Sequence, residues 1–394
     1  MRVVYVNLAV GYLLGKLHLE KQLGENYTFS GIEGSWNVPF EEAIKFLRSM
    51  VPLTREEFDT LDHDLKFRAF TIARVFSLDV VNKIKGRYVK ALQKGERPAD
   101  VMQFLDETLR KIGVHPENPY WLETHARNNF MSAYNAGRWV QIKQSKSVKY
   151  LVYNAILDEK TTKLCKTLDG AVKPVDDPFW KKFYPPNHHS CRSLATVVRR
   201  EFARLKELKP TPEEKVKEFL NRLENDKQLK REFQFKGHPA KNLDGVPLSV
   251  WRRAKDYRLL EEILEFNTKT RHPEEWVREF KSAKITEKTL KRKWKKHHED
   301  FERYWGLSLE SIEDFQKLIE ETKENPTEVY VKFHPKGQTK IIQLMLARYY
   351  PEHKGWMTVY IYKGNIETAY PIAGKDWSKY IEGLKEREGL VKWR

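Results

Sequence analysis

Cys165, His188, His189 and Cys191 are the residues of this 394-residue chain whose types most directly suggest chemistry. Thiolate and imidazole groups are suitable zinc ligands, and four of them would complete a tetrahedral shell. Their spacing is weak support, because there is no Cys-x-x-Cys pair and His-x-Cys is common. The stretch FYPPNHHSCRS (183–193) also reads as a rigid turn, with Pro185-Pro186 fixing an extended path and the histidines hydrogen-bonding inside it. A hydrolase centred on 158–191 lacks its signatures. Asp158, Asp169, Asp176 and Asp177 are close in sequence, but aspartate is ordinary at turns and caps. No nucleophile elbow, phosphate-binding loop or His-Glu-x-x-His is present.

The elements that would position these residues can be read from periodicity. WLETHARNNFMSAYNAGRWVQ is expected to be a helix with Leu122, Ala126, Phe130, Ala133, Gly137 and Val140 on one apolar stripe. Arg127, Tyr134, Asn135 and Arg138 fall on a separate polar arc of roughly 100°. That arc is either a solvated face or a set of side chains that clamp an irregular neighbouring segment. The segment that follows reads as a strand (150–156), a turn with a short helix ending at Asp169-Gly170, an aromatic-anchored loop and a strand over 194–200. Before it, PFEEAIKFLRSMV, FTIARVFSLDVVNKIKGRYVKAL and RPADVMQFLDETLRKIG all carry helical spacing.

The chain is expected to be multidomain, with an α-rich N-terminal body, a small α+β core and a C-terminal α+β domain. The expected boundaries are 1–115 (helical), 116–200 (core), 201–265 (charged helical linker) and 266–394 (α+β domain). TKIIQLMLARYY reads as strand or helix, and GWMTVYIYKGNIETAYPI as a hairpin. A formal charge of +17 points to an anionic partner, nucleic acid first. Residues 281–296 alone hold eight Lys/Arg against one Glu. High Lys and Glu together are also a mark of heat-adapted chains. Two cysteines do not make a disulfide framework, so an oxidising compartment is not indicated. The N-terminal run MRVVYVNLAVGYLLGKLHLEKQ is too short and broken to span a bilayer and reads as a buried docking helix.

The order of the pieces is more specific than any one of them. PFEEAIKFLRSMVPLTREEFDTL, then E-T-x-x-R-N with A-Y-N-A-G-R, then YLVYNAILDEKTTKLCKTLDGAV, then DDPFW and YPPNHHSCRS resemble the phage Mu F-like minor head protein family. The resemblance covers roughly residues 39–200. It implies a minor capsid protein acting in head morphogenesis at the portal vertex and in packaging or ejection of DNA. Portal and head proteins and non-specifically bound DNA would be its partners, in the virion and the host cytoplasm. The matching motif positions are Arg127, Asn135, Arg138, Asp158, Gly170, Pro185, Pro186 and Arg192. Many members end the motif Cys-Arg-Cys, whereas this chain has Cys191-Arg192-Ser193, one fewer ligand for a structural zinc.

C-terminal extensions of such proteins sometimes resemble toxin ribonucleases, and 290–373 looks like the barnase, colicin and RelE-type grouping in outline. That resemblance implies a metal-independent endoribonuclease, with RNA as substrate and a cognate immunity protein as partner. Cleavage would need a base for the 2′-hydroxyl, an acid for the leaving oxygen and cations for the phosphate. His298, His297, Lys332, Arg348, Thr368 and Tyr370 are the candidates. The alternative is a basic DNA-contacting domain whose histidines sit on a solvated helix.

Overall fold

The apolar spacing of the first stretch becomes helix α1 (Glu41–Ser49), which buries Ala43, Ile44, Phe46 and Leu47. The computed structural model describes residues 41–96, 98–115, 120–205 and 208–393. The expected N-terminal docking helix lies outside the described residues. Contacts divide the chain into two units, residues 1–241 and 242–394, so the protein is multidomain as its length and patterning imply.

In the first unit, β1 (Val51–Pro52) leads to α2 (Arg55–Asp59), α3 (His63–Lys66) and β2 (Ala69–Phe70), which returns parallel to β1. Helix α2 starts in a capping box: the Thr54 hydroxyl accepts from the Glu57 N–H, and the Glu57 carboxylate accepts from the Thr54 N–H. Helix α4 (Leu78–Lys94) starts at Ser77, whose hydroxyl accepts from the Val80 N–H, and stops on Gly95 in the left-handed conformation. Then come α5 (Pro98–Lys111) and the long α6 (Tyr120–Gln144). The expected stripe of α6 is inside at Leu122, Ala126, Ala133, Gly137 and Val140, while Phe130 is half-buried. Between residues 131 and 137 burial spreads round most of the helix, so α6 is an interior element packed on α1.

The core module follows in the expected order: β3 (Val148–Asn154), α7 (Lys163–Leu168), β4 (Val172–Pro174), α8 (Pro178–Phe183) and β5 (Leu194–Arg199). The strands form an antiparallel sheet in the order β4-β3-β5. Tyr153, Leu164, Trp180, Phe183, Tyr184 and Ala195 form its main core. The stretch 201–265, read from its charge as a linker, is not a spacer. After α9 (Arg200–Leu205), α10 (Glu213–Asn225) and α11 (Lys227–Glu232) bury Phe219, Leu223, Leu229 and Phe233 in that same core. At about 1.5–3 kcal/mol for each large side chain taken out of water, these four contribute stability that a linker would not. Residues 242–265 belong to the second unit.

That unit comprises β6 (Val246–Pro247), α12 (Leu248–Asp256), α13 (Leu260–Lys269), α14 (Pro273–Ser282), α15 (Glu287–Trp305) and α16 (Ile312–Glu324). Strands β7 (Glu328–Lys336), β8 (Thr339–Tyr350), β9 (Gly355–Tyr362) and β10 (Asn365–Ala373) follow, then α17 (Trp377–Glu388) and β11 (Leu390–Lys392). The sheet is antiparallel in the order β10-β9-β8-β7-β11, with β6 pairing on β8. TKIIQLMLARYY is therefore strand. Cross-strand register separates two faces. Val329, Leu346, Val359 and Ala369 form an apolar row on one, and Tyr330, Met345, Tyr360 and Thr368 form a row on the other. Gly355 is required by packing, since a Cβ there would lie 2.1 Å from the Trp305 indole nitrogen of α15.

Candidate functional site

The polar face of α6 clamps the core module through some of the expected residues. Arg138 donates to the Ala195 carbonyl at 3.0 Å, holding β5, and its guanidinium lies over the Tyr134 ring. Asn135 is fully buried; its side-chain amide donates to the Met131 carbonyl, and its main-chain carbonyl accepts from the Tyr184 hydroxyl at 3.0 Å. Arg127 instead pairs with Glu123 one turn back on the same helix. The next residue, Asn128, the last of the E-T-x-x-R-N motif but not among the candidates singled out, reaches the loop. Its Oδ1 accepts from the Ser190 N–H at 2.8 Å, and its amide nitrogen lies 2.6 Å from His189 Nδ1. Asn128 gave no periodic signal, because it sits beside the polar arc rather than within it.

The remaining motif positions shape the loop. Arg192 forks onto Asp158, with Nη1 to Oδ2 at 2.7 Å and Nη2 to Oδ1 at 2.5 Å. The hydrogen bonds from Arg192 hold the Asp158 carboxyl well below the usual carboxylate range. Gly170 takes a φ of 76°, a left-handed turn that lets its N–H donate to the Tyr153 carbonyl. Pro185 and Pro186 are buried and joined by a cis peptide bond. Asn187, also fully buried, donates to the Tyr153 hydroxyl and the Phe183 carbonyl.

Within this frame Cys165, His188 and Cys191 come together; His189 does not. The two sulfurs are 3.9 Å apart, and Cys165 Sγ lies 3.1 Å from His188 Nε2. Their ligand atoms all lie within 4.8 Å of one another. His188 Nδ1 faces the His189 carbonyl at 2.8 Å, which fixes the proton on Nδ1 and turns the Nε2 lone pair to the sulfurs. His189 is exposed at the edge of the Phe235 ring and is not part of the cluster. A hydrogen bond from Cys165 pulls the Cys191 thiol down to about 6. The same hydrogen bond, and then burial, push Cys165 up. Burial lowers His188, but Cys165, the His189 carbonyl and Glu232 together outweigh it and the net shift is upward. The separations suit two thiolates and an imidazole around one zinc, whose bonds run about 2.0–2.3 Å. Ser193 stands where a further thiolate would have been, so the residues fit a three-ligand site.

In the second unit the other candidates divide. His297 stacks on Tyr370, with ring centres 5.3 Å apart, and its Nδ1 is 2.8 Å from Asp300. The Tyr370 hydroxyl meets those of Tyr360, at 3.0 Å, and Tyr380, at 2.7 Å. Lys332 Nζ lies 4.3 Å from the centre of the Tyr360 ring and donates to Glu388 at 2.9 Å. Thr368 is the register partner of Tyr360. His297, Lys332, Thr368 and Tyr370 thus gather on one sheet face. Arg348 does not join them, because its guanidinium donates to the Glu321 and Asn325 carbonyls at the end of α16. His298 is also apart, with Nδ1 facing the Trp294 carbonyl. Tyr360, Tyr380 and Glu388 were missed, since only the folded register brings them to Tyr370 and Lys332.

Residues 82–196 match the family model described as "Phage Mu protein F like protein". The chain is 28% identical over 189 residues to "Putative capsid assembly protein F" of Escherichia phage Mu, covering 43% of this chain and 42% of the relative. It is 29% identical over 138 residues to "Mu-like prophage FluMu F protein" of Haemophilus influenzae, covering 32% and 33%. The matches thus span less than half the length of these curated relatives. No solved structure matches, and the family match ends before the second unit, so the ribonuclease resemblance finds no support there. Residues 82–196 are thus similar to the phage Mu protein F-like family, and proteins of phage Mu and of a Mu-like prophage share that similarity.

Proposed function

We propose that the chain is a minor head protein of a tailed phage or prophage, working in head assembly at the portal vertex and in the handling of packaged DNA. One observation carries this reading. The family-matched segment coincides with a module cross-tied by Arg138 to Ala195, Tyr184 to Asn135 and Arg192 to Asp158. Head and portal proteins are its partners, and a structural zinc on Cys165, His188 and Cys191 clips its loop. The charge of +17 favours phosphate backbones without sequence readout. No helix among the described residues is long and apolar enough to cross a membrane. A tagged chain expressed with its phage genome should co-purify with assembled heads; purified heads and head precursors free of it would remove the reading.

The second reading is that residues 242–394 cleave RNA without metal, with an immunity protein guarding the producing cell. The gathering of His297, Tyr370, Tyr360, Lys332 and Glu388 on one sheet face favours it. Incubating the full chain with RNA and no added metal tests it, and intact RNA would exclude it.

A further inference from the structure

In the first unit, the start of β3 borders a cavity of about 260 Å³. Three cations line it: Lys149 on β3, and Arg200 and Arg204 on α9. Main-chain hydrogen bonds from both sides set the frame. The Val175 N–H donates to the Lys149 carbonyl at 3.3 Å, and the Arg200 N–H donates to the Ser147 carbonyl at 2.8 Å. The β3–β5 register shifts between Val148 and Tyr150, which leaves Lys149 without a partner on β5. Such an irregularity re-aims a side chain, and bulges of this kind are frequent beside functional sites.

The charge around the cavity is unbalanced. All three cations are exposed, and none has an ion pair among the described residues. The acid in the lining, Asp176, is already held by Lys143 at 2.5 Å. Lys149 Nζ lies 5.0 Å from the centre of the Tyr150 ring, a contact that orients the ammonium and leaves its charge uncompensated. Arg200 and Arg204 stand one turn apart on α9, where like charges oppose each other. An anion seated between them and Lys149 relieves that opposition. Pro174 and Val175 give the cavity apolar walls, beside which the attraction is less screened than in open water.

Size and charge together select the anion. Sites for whole small molecules run about 300–1,000 Å³, so this one takes a single group of something larger. Two guanidinium forks and an ammonium exceed what one carboxylate needs and suit the free oxygens of a phosphodiester. Arg199, exposed and next to Arg200, carries positive charge beyond the lining. An acidic side chain ends there, whereas a nucleic-acid backbone continues.

We propose that this cavity seats one backbone phosphate of duplex DNA, held by Lys149, Arg200 and Arg204 without base readout. This rests on the reading that the chain handles packaged DNA, and it gives the first unit a contact of its own.

The test measures the affinity of the full chain for two duplex DNA oligonucleotides of unrelated sequence over a range of salt. Each neutralised phosphate contributes about 0.9 to the slope of log K against log salt. Lys149→Gln, Arg200→Gln and Arg204→Gln combined should lower the slope by about 0.9 for both sequences, with unchanged thermal melting. Val175→Trp keeps every cation and fills the cavity, and it should give the same drop. An unchanged slope in either variant overturns the proposal. So does a drop of about 3 in the triple variant, which would mean three separate surface contacts. Polyglutamate that binds the wild type but not the triple variant, with DNA binding unaffected, would reassign the cavity to an acidic partner protein and overturn the proposal too. Wild-type protein that binds neither duplex removes the DNA part of the reading as well.

Discussion

Arg192 and Asp158, thirty-four residues apart, meet as a two-pronged ion pair that closes the loop carrying Cys191 onto the turn after β3. Asp158 is well exposed, with a side-chain accessibility of 42%, so water screens the pair. Arg192→Ala should cost about 1 kcal/mol, and Arg192→Lys nearly as much, because an ammonium cannot form the fork. Denaturant titration of the full chain measures both. The Asp158 carboxyl is depressed in the fold, so its contribution is complete above the unfolded carboxyl pKa of about 3.9. It is lost as pH falls below that value. The deficit of Arg192→Ala relative to wild type should therefore be steady from pH 5 to 8 and shrink on further acidification.

Tyr184 tests the tie between α6 and the loop. Its hydroxyl donates to the Asn135 carbonyl in the fully buried core, and its ring stacks on His238. Tyr184→Phe keeps the ring and removes one donor, so it should cost about 1–2 kcal/mol. Tyr184→Ala adds a cavity and should cost about 3–5 kcal/mol. Equal losses in the two variants would mean that the ring contributes nothing, contrary to the packing.

These contacts also mark what the sequence could convey. The apolar stripe of α6 was legible because burial of one helix face imposes a period of 3.6. Arg138 was legible as part of the polar arc, but its partner, a backbone carbonyl at Ala195, carries no sequence signature. Strand β8 stayed ambiguous because β7 and β9 flank it and both its faces are covered, which erases the alternation that marks a half-exposed strand. In α10, Val216, Phe219, Leu220 and Leu223 were correctly spaced for a buried face, yet the surrounding charge suggested a linker.

The sulfur cluster leads to a metal prediction. The purified chain should carry about one equivalent of zinc, and cobalt substitution should give thiolate-to-metal charge-transfer absorption. Cys191→Ser should remove that absorption, and a chelator should lower the melting temperature of the wild type but not of the variant. Zinc must displace the proton that Cys191 and burial hold on Cys165, and below about 6 protons also compete for Cys191, so zinc affinity should fall as pH drops and fall most steeply below that value. Metal-free protein with unchanged melting in chelator would leave the cluster as a buried thiol–imidazole contact.

The proposed DNA contact can be separated from bulk charge on α15. Arg292, Lys295 and Lys296 are exposed there, whereas Lys291 is partly neutralised by Glu287 at 2.5 Å. Each phosphate contact contributes about 0.9 to the slope of log K against log salt on duplex DNA. If all three exposed cations engage phosphate, replacing them with alanine should reduce the slope by about 2–3, equally for unrelated sequences. A change in affinity with an unaltered slope would mean that they act through the fold. An unchanged slope and affinity would move the contact off α15 to the other basic surfaces of the chain. Replacing Lys291 in the same background should add less than any of the three, because the Glu287 carboxylate already offsets its charge.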